Sequence, residues 1–321
     1  MIKSKEIFGI DISKEVFDVF SFETGHLQFA NNEKGFKQLT KKLSKTSLVV
    51  MEATGYYHYC LAQYLFEKDY QVSVVNPLSV KRFIQMKLSK VKTDKSDAKS
   101  ICEYGTNNEV PLYTAKDKSQ AECLQLLRLI DTYIKYRTAM KNKLDGEKVL
   151  GTPSKAVYHS LNRAVKQLNN EISILEARLA SLVKEEQENQ LRLLKTIPGI
   201  GEKAAILLVV FTDGFSKFEN SKQLCCYAGI TPTIRQSGSS VRGRSRISKI
   251  GNRKLRNQLF LSSFTACRYN KACKELFERI VAQGKSKKLA LLAVCNKLLK
   301  QAFAIAKSGL PYNESFISKL T

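Results

Sequence analysis

Short apolar runs that stop at a carboxylate mark the first third of the chain. Ile7 to Ile10 is one, ending at Asp11; after a turn at Ser13-Lys14, Val16, Val19, Phe20 and Phe22 supply a second strand, so the pair predicts a hairpin. Leu48 to Met51 repeats the pattern and ends at Glu52, where Ala53-Thr54-Gly55 breaks the strand. Helices are predicted over 35–44 and 57–68, and a further strand over Val72 to Val75, closed by Asn76-Pro77. In KTDKSDAKSI (92–101), Asp94 and Asp97 stand three residues apart, which on a helix puts both carboxylates on one face. A helix following mixed strands can lie across the sheet with that face toward Asp11 and Glu52. Asp94 could equally serve as the cap of its own helix. Asp18 and Asp69 lack this placement and read as surface charge.

The middle of the chain has helical periodicity. From Ala115 to Val149 there is no proline and one glycine, with Leu124, Leu127, Ile130 and Ile134 at helical spacing. After Gly151-Thr152-Pro153, a second helix carries Leu161, Val165, Leu168, Ile172, Leu175, Leu179 and Leu182 in alternating steps of four and three. That spacing makes a coiled-coil seam, suited to a projecting, self-associating arm over 155–190 or to a helix packed on its own domain. Ile197-Pro198-Gly199-Ile200-Gly201 then opens a helix over Glu202 to Phe211. This is the helix-hairpin-helix pattern, in which Gly199 and Gly201 would let backbone N–H groups approach a phosphate.

Composition changes the picture by naming the partner. In 321 residues there are 53 Lys and Arg against 29 Asp and Glu, a formal net charge of +24, which implies a polyanion. The excess is concentrated beyond residue 190, where 24 basic residues face 6 acidic ones, and no acid occurs between Glu219 and Glu275. Inside that gap Arg242, Arg244, Arg246, Lys249, Arg253, Lys254 and Arg256 form a basic stretch expected to contact nucleic-acid phosphates, supplying affinity rather than sequence choice. Eight cysteines without a CxxC pair fit reduced thiols in a cytoplasm. Three histidines, none spaced for a metal, argue against zinc chemistry and a Ser/His/Asp triad. No run approaches 18 apolar residues, and the amino-terminal residues lead into a strand rather than a signal peptide.

In so cationic a chain, four gathered carboxylates are most simply explained by a divalent metal working on a phosphodiester. Mg²⁺, with Mn²⁺ as a substitute, binds carboxylate oxygens and can hold the oxygens of an in-line displacement.

The motifs carry a family resemblance. GIDISKE around Asp11, FANNEKG at 29–35, MEATGYY around Glu52, VVNP at 74–77 and KTDKSDA at 92–98 resemble the amino-terminal domain of the DEDD transposases of the insertion-sequence one-ten family. That family includes bridge-RNA-guided recombinases and Piv-type DNA invertases. IPGIGEK at 197–203, YAGITP at 227–232, SGSSVRGRSRISKIGN at 237–252 and KSGLP at 307–311 resemble its carboxy-terminal transposase domain, so the ordered blocks span nearly the whole chain. The resemblance implies that Asp11, Glu52, Asp94 and Asp97 form a RuvC-like metal site on a ribonuclease-H fold. It also implies that Ser237, which opens SGSSVRG, is a catalytic nucleophile; from the sequence alone Ser239 and Ser240 compete with it.

The reading is therefore an α/β protein with a RuvC-like nuclease domain and helical extension over 1–150, an arm over 155–190, and a mostly helical, basic transposase domain over 191–321. Its expected work is cutting and rejoining donor and target DNA in the cytoplasm of a bacterium or archaeon, as a homodimer or homotetramer with a guide (bridge) RNA. The alternatives are a nuclease of the Holliday-junction resolvase type, which would not need Ser237, and a non-catalytic nucleic-acid-binding protein whose acids are only caps.

Overall fold

A computed structural model of the chain describes residues 6–53, 55–88, 93–115, 117–234, 236–237, 241–242 and 246–315. The chain divides into two compact units, Met1–Lys116 and Asp117–Thr321.

The first unit is built on a five-stranded sheet. Strands β1 (Ile7–Ile12), β2 (Val16–Ser21) and β3 (Gly25–Ala30) form an antiparallel meander, and the Ser13 hydroxyl fixes the first turn by donating to the Val16 carbonyl at 2.7 Å. Helix α1 (Glu33–Thr40), capped by Asn32, leads to β4 (Leu48–Glu52); helix α2 (His58–Glu67) leads to β5 (Gln71–Val75), and both strands run parallel to β1. Helices α3 (Pro77–Met86) and α4 (Asp94–Asn107) follow, and the strand order is β3-β2-β1-β4-β5. Helices cover both faces, which is why β1 and β4 read as continuous apolar runs rather than alternating ones. Phe8, Ile10, Val49 and Met51 pack toward Leu39, Leu61 and Leu65 of α1 and α2, whereas Leu48 and Val50 pack toward Val80 of α3 and Ile101 of α4.

Close backbone approach seats α4 on that second face. A Cβ built on Gly9 of β1 would lie 2.1 Å from the Cys102 nitrogen and 2.3 Å from the Ala98 carbonyl oxygen, so only glycine admits the helix at this distance. One turn further along, Gly105 fits against Val50 and Ile7. Running back along α4 from Gly105 to Ala98 thus follows β1 from Ile7 past Gly9, and brings the start of the helix to the Asp11 end of the strand.

The second unit opens with an antiparallel helical pair, α5 (Lys118–Leu150) and α6 (Lys155–Lys195), joined through residues 151–154. Helix α5 packs with the second unit, where Cys123, Leu127 and Ile130 are buried in that unit's core. Of the seam on α6, Ile172, Leu179 and Leu182 are buried, with α5 of the same chain packed alongside, and Leu161, Val165, Leu168 and Leu175 are half-buried. Helix α7 (Glu202–Thr212) is apolar on every side after its first turn and forms the centre of this core. Helix α8 (Ser221–Ala228) precedes a narrow ribbon of two-residue strands, β6 (Pro232–Thr233), β7 (Gln236–Ser237), β8 (Val241–Arg242) and β9 (Arg246–Ile247), in which β6 pairs with β9 and β7 with β8. Helices α9 (Arg253–Tyr269), α10 (Lys271–Ala282) and α11 (Lys287–Ser308) complete the unit. Among the described residues α11 alone is long and apolar enough to cross a membrane by length and composition. Its stripe of Ala290, Val294, Cys295, Leu298, Leu299 and Ala302 is fully buried against α8, α9 and α10, which explains that composition as core packing.

Candidate active site

The carboxylates of the first unit meet where strands leave the core. Ile10 of β1 pairs with Met51 of β4, so Asp11 and Glu52, the next residues on two adjacent parallel strands, stand level at the carboxyl ends of the sheet. Open α/β sheets place ligands at such strand ends. Side chains alternate along a strand, so Asp11 shares a face with Gly9, and Glu52 with Val50. That is the face covered by α4.

Helix α4 brings the other two. Thr93 caps it, its hydroxyl accepting from the Ser96 N–H at 3.1 Å while the Ser96 hydroxyl accepts from the Thr93 N–H at 2.8 Å. The expectation that Asp94 could be the cap is thus corrected: a capping box does that work, and Asp94 and Asp97 occupy the first turn, where the helix dipole favours negative charge. Asp94 is exposed; Asp97, Glu52 and Asp11 are half-buried.

Electrostatics show that the four share one neighbourhood. The Asp11 carboxyl is raised from 3.8 to about 6, first by burial and then by the negative charges of Asp97, Asp94, Glu52 and Asp18, in that order. An acid held by burial and four like charges is under a repulsion that a bound cation would relieve. The donors are all carboxylate oxygens, the chemistry of a hard cation such as Mg²⁺ or Mn²⁺. Among the described residues, no three Asp, Glu, His or Cys side chains already stand as a ligand cluster. The residues fit a divalent ion by donor type and charge.

Asp18 is the acid that the sequence reading misplaced. It lies directly across the β1/β2 ladder from Asp11 and is 5% exposed, not a surface charge. His26 Nε2 lies 2.7 Å from its carboxylate, and the Gln28 amide donates to both oxygens at 3.3 Å. Helix α4 covers β2 as well as β1, so the polar position in this strand is a buried one.

The remaining candidates belong to the second unit. Ser237 closes β7, its backbone paired with Val241 of β8 near the end of the ribbon, and Arg242 pairs with Gln236. The rival serines Ser239 and Ser240, and Arg244, lie outside the described residues. Arg246, Lys249 and Arg253 are exposed. Arg256 donates from Nη1 to the Ala228 carbonyl at 2.8 Å. Lys254 turns inward: its ammonium donates to the Leu127 carbonyl at 2.6 Å, lies 3.5 Å from Asp131, and has its pKa lowered chiefly by burial. In the turn between α6 and α7, Gly199 has a φ of +104°, and an added Cβ would strike Ala266 of α9 at 2.7 Å. Gly201, the N-cap of α7, faces open space.

Comparison with known proteins covers both units. The transposase family model DEDD_Tnp_IS110 matches residues 8–150, and the model described as Transposase IS116/IS110/IS902 family matches residues 191–278. The pilin gene-inverting protein of Moraxella lacunata is 32% identical over 325 residues, covering 97% of this chain and 98% of that protein. Its counterpart from Moraxella bovis is 31% identical over the same span. The transposase for insertion sequence element IS1111A of Coxiella burnetii is 25% identical, covering 92% of this chain and 88% of its own.

Proposed function

Since this chain belongs to the IS110 family of transposases, we propose that it uses Asp11, Glu52, Asp94 and Asp97 with Ser237 to cut and rejoin DNA strands. The family assignment makes it a DNA recombinase, of the transposase or DNA-invertase kind. The observation that supports the reading of the site is the level placement of Asp11 and Glu52 at the carboxyl ends of β1 and β4, with α4, whose first turn carries Asp94 and Asp97, seated on β1 at Gly9. The strand order, with β2 antiparallel and β4 and β5 parallel to β1, supports a RuvC-like, ribonuclease-H fold for the first unit.

The four carboxylates would hold Mg²⁺, or Mn²⁺ in its place, which when bound neutralises charge on a phosphodiester and lowers the pKa of an oxygen nucleophile. The rest of the chemistry belongs to side chains. The Ser237 hydroxyl loses its proton, and its Oγ attacks the phosphorus while the bond to the 3′-oxygen breaks; the released strand end takes up a proton as a 3′-hydroxyl. The product is a phosphoserine ester to the 5′-phosphate end of the cut strand. Because the ester conserves the bond, attack by the 3′-hydroxyl of another strand reseals DNA and frees Ser237. Arginines that follow Ser237 in the sequence, among them Arg242, Arg244 and Arg246, would balance charge on the pentavalent phosphate.

Strand exchange needs several sites at once, so the protein would act as a homodimer or homotetramer on donor and target DNA. Exposed apolar residues on the helical pair, Val149, Leu150 and Ile174, support the α5/α6 arm as a contact between copies. The open Gly201 at the start of α7 supports a helix-hairpin-helix contact to a DNA backbone. A guide (bridge) RNA would choose the sites, or accessory factors as expected for an invertase, and the protein would work in the bacterial cytoplasm, where the DNA lies.

The test is strand cleavage on a gel. Asp11→Ala, Glu52→Ala, Asp94→Ala and Asp97→Ala should each abolish cleavage while DNA binding survives, because removing a carboxylate lowers negative charge. Cleavage retained in both Asp11→Ala and Glu52→Ala would overturn the metal-site reading.

A further inference from the structure

A groove in the second unit gathers cations that are scattered in the sequence. It encloses about 1510 Å³ between α8, the foot of the ribbon, α9, α10 and α11. Lys222 comes from α8, Arg246 and Lys249 from the return of the ribbon, and Lys288, Lys297 and Lys300 from α11, with Arg256 at the side. No Asp or Glu lines it, and none of these cations forms an ion pair among the described residues. The floor is apolar: Phe260 and Leu261 of α9, Leu276 of α10, and Leu289 and Leu292 of α11, with Leu261 62% and Leu289 45% exposed.

We propose that this groove binds a single strand of DNA, the strand that Ser237 cuts. Seven cations with no acid among them call for a polyanion, and exposed leucines call for a ligand with an apolar face. Duplex DNA meets only the first demand, because it turns its bases inward and presents sugar and phosphate. A single strand meets both, its phosphates along the lysines and its bases over the floor. The ribbon decides which strand. Thr231, Pro232, Arg246 and Ile247 line the groove, and Ser237 follows Thr233 of β6 by four residues along the chain. A strand held here lies against β6 and β9, the strands that flank the segment carrying the nucleophile in the chain. The proposal rests on the reading of Ser237 as that nucleophile.

Fluorescence anisotropy of the full-length protein with labelled oligothymidylate, oligouridylate of the same length and a DNA duplex, over a range of salt, tests it. Replacing Lys288, Lys297 and Lys300 together by Ala should weaken oligothymidylate binding and reduce its salt slope by about 2, at about 0.7 for each phosphate no longer neutralised. The same three positions changed to Arg should restore the slope, which an unfolded variant could not do. Leu289→Ser should weaken the single strand and leave the duplex unchanged, and an oligonucleotide carrying 5-iododeoxyuridine should cross-link to peptides of α9 or α11. An unchanged slope in the alanine triple, an equal loss on the duplex, or tighter binding of oligouridylate would each overturn the proposal; displacement of an acidic peptide in place of DNA would do the same. The nucleophile reading fails separately: if Ser237→Ala forms a covalent DNA adduct while the triple loses oligothymidylate, the groove stands and the role of Ser237 does not.

Discussion

Asp11 and Asp18 are directly paired residues on adjacent antiparallel strands, so their carboxylates project from the same face of the sheet. Asp18 is kept there by His26 and Gln28, and its charge is one of those that raise the Asp11 carboxyl to about 6. Asp18→Asn should therefore lower the pKa of Asp11, by less than removal of Asp97, whose charge acts more strongly. Carboxyl carbon chemical shifts followed against pH would show it.

The same shift makes the metal-free fold pH-dependent in a stated direction. Asp11 has a higher pKa in the folded chain than its ordinary 3.8, so its protonated form favours folding. Its contribution is fully present below pH 3.8 and is lost as pH rises through about 6. Discounted for solvent screening of a half-buried group, the loss is on the order of 1 kcal/mol. Urea unfolding in chelator should show Asp11→Asn more stable than the parent above pH 6, and added Mg²⁺ should stabilise the parent but not the variant.

Gly9 tests whether the seating of α4 matters to the site. Gly9→Ala places a Cβ inside the backbone of Ala98 and Cys102, so α4 must shift. Overpacking of this kind costs about 1–3 kcal/mol. Cleavage at a temperature where the variant remains folded should fall further than DNA binding, because Asp94 and Asp97 move with the helix. Equal loss of both would mean that α4 only supports the fold.

Basic residues should separate by where their ammonium or guanidinium groups go. Arg246→Ala should flatten the salt dependence of single-strand binding by about 0.7 in the log-log slope, and Arg253→Ala that of duplex binding by about 0.9. Lys254→Ala should leave the slope unchanged and lower the melting temperature instead, since its ammonium is bonded to the Leu127 carbonyl beside Asp131.

Much of this could be read from sequence, for physical reasons. A carboxylate at the end of a strand buried on both faces interrupts an otherwise unbroken apolar run, and that is why Asp11 and Glu52 stood out. Asp18 did not, because a polar residue in the alternating strand 16–21 looks solvent-facing until α4 covers it. The heptad spacing from Leu161 to Leu182 was legible, but spacing does not say whether the partner is α5 or a second copy. Lys254 was grouped with its basic neighbours, although the period of α9 turns it toward α5. Lys222, Lys288, Lys297 and Lys300 are ordinary exposed helix positions, and only the packing of α8 against α11 brings them to one groove.

The central claim is that Ser237 is the nucleophile, and a denaturing gel for DNA covalently attached to the protein tests it most directly. The parent protein with Mg²⁺ and cognate DNA should yield an adduct, Ser239→Ala and Ser240→Ala should still yield some, and Ser237→Ala should yield none while binding DNA with unchanged affinity. Recombination by purified Ser237→Ala at the parent rate would contradict the account and leave a metal-activated water as the attacking group.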